Sequence, residues 1–123
     1  MPPSTQPLSG LDILMLEDEA LVAFDVEELL LQNGARTVEI TSSVVVAREI
    51  VTARQFSLVL LDVKLADGSG LELLPLFRRL QMPVIVTTGY SGLEVDELRV
   101  IQKPYSGEDL IVAIRAAARP SPS

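Results

Sequence analysis

Five polar side chains could do chemistry together: Glu17, Asp18, Asp62, Thr88 and Lys103. Each closes or follows a short apolar run, and between them they supply carboxylates, one hydroxyl and one amine. The chain has no histidine and no cysteine. That removes the usual general base, thiol catalysis, disulfides and the common zinc ligands. Chemistry here has to run on carboxylates, hydroxyls, lysine and a hard metal ion. Singly, each residue has an ordinary reading. Asp62 can be a strand-ending acid or turn cap, and Glu17 with Asp18 can be the acidic start of a helix. Lys103 can be a surface lysine, Thr88 a turn hydroxyl, and Asp67 part of the turn Asp67-Gly68-Ser69-Gly70. It is their joint arrangement that points to a site.

Three carboxylates brought to one place repel one another and call for a cation. An all-oxygen cluster suits Mg²⁺, which keeps several waters and takes one or two protein carboxylates. Such an ion allows a phosphate donor to approach an aspartate that would otherwise repel it. A carboxylate is a competent phosphoryl-accepting nucleophile. The transferred group spreads charge over three oxygens, which the ion and hydrogen-bond donors must meet. Lys103 offers a positive charge and Thr88 a movable donor. Pro104 keeps Lys103 out of the helical region of backbone space.

The elements that would position these residues alternate. Leu11 to Leu16 is an apolar run that meets Glu17-Asp18-Glu19, as a buried strand ending in charge. Ala20 to Leu31 has Val22, Val26, Leu29 and Leu30 at helical spacing, and Asn33-Gly34 stops it. Val38 and Ile40 mark an edge strand. Thr41-Ser42-Ser43 caps a helix over Val44 to Thr52. Phe56 to Leu61 is a second buried strand, closed by Asp62. Leu71, Leu74 and Phe77 line one helix face. Pro83 to Thr87 is the fourth strand, Arg99 to Gln102 a short fifth, and Glu108 to Ala118 the last helix. The strands lack polar alternation, which indicates a parallel sheet covered on both faces. With right-handed crossovers the expected fold is a three-layer α/β/α sandwich. Ligands of such a sheet sit beyond the carboxyl ends of its strands, where the five candidates fall. The segment from Gly89 to Glu97 has two glycines and little periodicity, so a full helix there is not expected.

The chain's 123 residues, 48% of them hydrophobic, suffice for one domain with a real core. Residues 1–10 are expected to be a flexible arm, 11–118 the domain and 119–123 a flexible tail. The formal charge of −7 disfavours direct nucleic-acid binding. No apolar run reaches the roughly 18 residues of a membrane span, and no secretory signal pattern opens the chain. The expected location is the cytoplasm.

Leu16-Glu17-Asp18-Glu19, Leu60-Leu61-Asp62-Val63, Asp67-Gly68-Ser69-Gly70, Pro83-Val84-Ile85, Thr87-Thr88-Gly89 and Lys103-Pro104-Tyr105 together resemble the receiver domain of bacterial two-component response regulators. The resemblance covers almost the whole chain. It implies a flavodoxin-like (βα)5 fold with sheet order 2-1-3-4-5. It implies Asp62 as phosphoacceptor, with Mg²⁺ held by Asp18, by Asp62, by Glu17 mainly through water, and by the Lys64 backbone carbonyl. Thr88 would be the switch hydroxyl, and Lys103 would contact the phosphoryl oxygens. The implied donor is a histidine kinase or histidine phosphotransfer protein, with slow auto-dephosphorylation. The implied output is contact with a downstream protein or a homodimer. Several residues depart from the family pattern. Ala66 replaces a common proline and should loosen the loop after Asp62. Lys64 puts a long cation beside the pocket. Val100 stands where an aromatic switch residue is usual, and Tyr90 could substitute for it. The short span from Thr88 to Lys103 suggests an atypical subgroup with a reduced fourth-helix region. The alternatives are a non-phosphorylated pseudo-receiver acting only by protein contact, a small flavin carrier and a metal-dependent hydrolase. Glu17-Asp18-Glu19 after the first strand opposes flavin phosphate, and no long lid exists for a hydrolase pocket.

Overall fold

The structure is a computed structural model that describes residues 6–95 and 98–119. Five parallel strands form one sheet: β1 (Asp12–Leu16), β2 (Thr37–Thr41), β3 (Leu58–Asp62), β4 (Val84–Thr88) and β5 (Arg99–Gln102). Their spatial order is β2-β1-β3-β4-β5. Four α-helices flank the sheet, α1 (Ala20–Gln32), α2 (Val44–Ala53), α3 (Leu74–Arg79) and α4 (Gly107–Ala117), and a small antiparallel hairpin pairs Lys64–Leu65 with Gly68–Ser69. The result is the α/β/α sandwich expected from the strand pattern, in the flavodoxin-like order that the family resemblance implied.

Successive strand residues point to opposite faces, and in a doubly covered sheet both sets must be apolar. Leu14, Leu16, Val59, Leu61, Val84 and Val86 meet α2 and α3 on one face. Ile13, Met15, Leu58, Leu60 and Ile85 meet α1 and α4 on the other. β1, β3 and β4 are buried along their whole length, whereas the edge strand β2 is only half-buried. Burial of this kind stabilises by roughly 1.5–3 kcal/mol per large aliphatic side chain.

The helix ends follow local chemistry. Ser43 caps α2 by accepting from the Val46 N–H. Asn33 ends α1, and Gly34 takes the left-handed φ of +100° that follows. α3 begins as a 3₁₀ turn over Gly70–Leu73, opened by a Ser69/Glu72 capping box. Leu74 and Phe77 are buried there, with Leu71 partly so. Leu8, within the stretch 1–10, is buried against Ile13 and Leu30, and its N–H donates to the Asn33 carbonyl.

Among the described residues between β4 and β5 none is helical. Leu93, Val95 and Leu98 pack instead onto the α2/α3 face beside Val100. No helix among the described residues is long and apolar enough to cross a membrane.

Candidate phosphoacceptor and metal site

Parallel pairing puts all the strand ends at one rim. Leu16 lies opposite Leu61, Asp62 opposite Thr87, and Thr88 opposite Gln102. Glu17 and Asp18 therefore emerge from β1 beside Asp62, the last residue of β3. Thr88 ends β4, and Lys103 steps out of β5.

The side chains then converge. One carboxylate oxygen from each of Glu17, Asp18 and Asp62 lies within 4.8 Å of the other two. Lys103 Nζ donates to Glu17 Oε1 and to Asp62 Oδ2, each at 2.8 Å. Glu17 and Asp62 are buried, whereas Asp18 is exposed. The remaining acceptors are served by backbone: Glu19 N–H donates to Glu17 Oε2 at 3.1 Å, and Lys64 N–H to Asp62 Oδ1 at 3.3 Å. The side chain of Lys64 itself is exposed on the loop.

Lys103 is fixed from behind. Its N–H donates to the Thr88 carbonyl at 2.7 Å, and its bond to Pro104 is cis. The Thr88 hydroxyl is buried and accepts from the Tyr90 N–H at 3.0 Å. Its own proton is thus free to turn toward the rim. Tyr90 is 67% exposed, and Val100 is half-buried on β5.

Burial pushes the Glu17 carboxyl above its usual pKa; Lys103 and the Glu19 N–H oppose that shift, and neighbouring Asp62 adds to it. Burial also works against the charge on Lys103. Its hydrogen bonds to Asp62 and Glu17 outweigh it and hold the ammonium above the ordinary lysine value. Burial raises the Tyr105 phenol beside it. Lys103 is thus a fixed cation, fitted to donate hydrogen bonds and unfitted to serve as a base. Three carboxylates against one ammonium leave the rim negative. That oxygen donor set fits a hard divalent ion such as Mg²⁺. A cavity of about 540 Å³ between α1 and the turn after β2 opens onto Glu17 and Asp18.

Two further residues shape the site. A Cβ on Gly70 would overlap the Asp62 carbonyl oxygen and come within 2.8 Å of Leu61 Cδ1. Only glycine lets the chain return under Asp62, where the Gly70 N–H donates to the Val63 carbonyl at 2.8 Å. Asp67 accepts hydrogen bonds from the start of α2, far away in sequence. The turn Asp67-Gly68-Ser69-Gly70 was the only sequence signal for either.

The sequence profile of the response regulator receiver domain family matches residues 13–115. YkoG of Bacillus subtilis, named an uncharacterized transcriptional regulatory protein, is 35% identical over 116 residues, which are 87% of this chain and 50% of that protein. The phyllosphere-induced regulator PhyR of Methylorubrum extorquens is 32% identical over 117 residues, 86% of this chain and 43% of PhyR. The chain thus spans about half the length of the curated relatives it matches. A CheY-like receiver domain from Methanospirillum hungatei superposes with a TM-score of 0.78 at 29% identity, covering 88% of this chain and 93% of that one.

Proposed function

The chain belongs to the response regulator receiver domain family, and from that membership we propose that it is a phosphorylation switch whose phosphoacceptor is Asp62. The observation that carries the reading is the Asp62 carboxylate itself. It sits at the end of a central strand, bonded to Lys103 Nζ and grouped with Glu17 and Asp18.

By that family membership the donor is a phosphohistidine on a histidine kinase or histidine phosphotransfer protein. An Asp62 oxygen attacks phosphorus, forming a P–O bond. The P–N bond breaks, its electron pair stays on the imidazole, and solvent returns a proton there. Asp62 needs no base, because it is a carboxylate already. Lys103 balances the charge that collects on the phosphoryl oxygens. Thr88 turns its hydroxyl proton onto one of them. Glu17, Asp18, Asp62 and the Lys64 carbonyl would hold Mg²⁺, which when bound neutralises the carboxylates and the incoming phosphate. Water attacking the same phosphorus later returns free Asp62, giving slow auto-dephosphorylation.

The consequence of phosphorylation is a tighter arrangement of residues 89–95, which follow β4. Thr88 reaches the phosphoryl group by rotating its oxygen about the Cα–Cβ bond, which takes from the Tyr90 N–H its present acceptor and rearranges the residues after Gly89. The signal leaves by protein contact, with a downstream partner or a second copy, in the cytoplasm.

The test is incubation with Mg²⁺ and acetyl phosphate, followed by intact mass of the wild type beside Asp62→Ala. One phosphoryl group gained by the wild type and none by the variant is the expected result. Equal mass in the two folded proteins, also with a cognate kinase, would replace this reading with that of an interaction module.

A further inference from the structure

We propose that Asp67 is a positioning residue for this site: it ties the loop behind Asp62 to the start of α2 and thereby holds the Lys64 backbone beside the Asp62 carboxylate. The inference rests on the reading of Asp62 and its metal given above.

The chain leaves β3 at Asp62 and returns beneath it at Gly70. In between, Lys64–Leu65 pairs antiparallel with Gly68–Ser69, so that Ala66 and Asp67 form the tip. An aspartate in such a turn ordinarily accepts from backbone two residues on. Asp67 instead reaches across to α2. It accepts from the Val44 N–H at 2.6 Å, the Ser43 hydroxyl at 2.8 Å and the Val45 N–H at 3.4 Å. Alongside, the Ala66 N–H donates to the Ser42 carbonyl at 3.1 Å. The tip is thus clamped although Asp67 is exposed to water.

The clamp bears on the site because the loop is short. Lys64 lies three residues before Asp67, and its N–H is the donor to Asp62 Oδ1. Leu65, the next residue, is buried in the same cluster as Val44. Ala66 does nothing to restrict the backbone at the tip, as a ring residue would. Orientation of the Lys64 carbonyl, which is assigned to the metal, therefore depends on the two anchors that follow it: Leu65 in the core and Asp67 on α2.

A plain helix cap would contribute stability and nothing else, so the experiment must separate the two roles. Mg²⁺ alone is titrated by calorimetry into the full chain as wild type, Asp67→Ala, Asp67→Asn and Arg36→Ala, with melting temperatures taken in parallel. Arg36 pairs with Asp12 at the opposite end of the sheet and serves as the stability control. Asp67→Ala should weaken Mg²⁺ binding about tenfold, the low end of the loss that follows removal of outer-shell partners. Asp67→Asn, which keeps an oxygen for the Val44 N–H, should recover much of it. Arg36→Ala should lower the melting temperature and leave Mg²⁺ affinity alone. Lys64 amide exchange, faster in Asp67→Ala than in wild type without metal, is the geometric readout. Wild-type Mg²⁺ affinity in Asp67→Ala, with only the melting temperature lowered, would overturn the inference and leave the phosphoacceptor reading standing. A wild type that binds no Mg²⁺ would overturn both.

Discussion

Replacing Lys103 by methionine keeps a long apolar stem and removes the one ammonium bonded to both Glu17 and Asp62. Both carboxylates are buried, so without metal they lose their counter-charge while remaining out of water. Removing one partner of a buried pair costs about 3–5 kcal/mol. The Lys103 side chain is itself 20% exposed, so water reaches the gap; we expect a loss of about 2–3 kcal/mol, at or just below the bottom of that range. In a domain of this size that lowers the melting temperature by on the order of 10 °C in EDTA. Mg²⁺ should then act in the opposite direction. Three carboxylates with no ammonium attract the ion more strongly than the wild-type site. Saturation at about one hundred times the dissociation constant adds about 2.7 kcal/mol to whichever protein binds. The variant reaches that point at lower Mg²⁺, so the stability gap should narrow as Mg²⁺ is titrated. Urea denaturation across a Mg²⁺ series reads both effects. Equal stabilities in EDTA, or a gap that holds constant with Mg²⁺, would refute the view that Lys103 charge compensates these buried carboxylates.

Because burial raises the Glu17 pKa, protonated Glu17 favours the folded state below the ordinary glutamate pKa, and this contribution is lost as pH rises through its raised value. Glu17→Gln in EDTA should therefore gain stability over wild type at neutral pH and lose that advantage in acid; urea denaturation at several pH values checks it, and a pH-independent difference would count against it. Gly70→Ala forces a Cβ into the Asp62 carbonyl and should destabilise the fold by about 3 kcal/mol or more, visible in a denaturant midpoint, with acetyl phosphate labelling lost. Thr88→Val frees the Tyr90 N–H from its acceptor, so Tyr90 amide exchange should rise in the unphosphorylated protein. In the wild type, phosphorylation should slow amide exchange between residues 89 and 95; no change there would refute the tighter arrangement of those residues.

The β-branched and leucine-rich runs, each ending in a polar residue, were sufficient to determine the alternating elements and the sheet. A parallel, right-handed α/β fold can only bring its strand ends to one rim. Glu17, Asp18, Asp62, Thr88 and Lys103 were therefore legible as neighbours before any distance was known. Strand bounds at the edges were less so: Phe56 and Ser57 precede β3, because the Ser57 N–H and hydroxyl are taken up by Asp12 before the ladder begins. What the tertiary structure alone decided is how side chains meet across elements that share no local spacing. Lys103 joins Glu17 and Asp62 over separations of 86 and 41 residues, and its pKa is raised because the hydrogen bonds to those two carboxylates outweigh the burial that lowers it. Asp67 reads as a turn residue by type, yet its acceptors are spent on α2 because burial of Leu65 in the core cluster that also holds Val44 brings the loop tip there. Gly70 is likewise ordinary turn chemistry until the chain is seen to pass beneath the Asp62 carbonyl. Periodicity and turn composition record how each segment meets solvent and core, and so they specify elements. Charge pairing and close backbone approach depend on which elements those forces then press together.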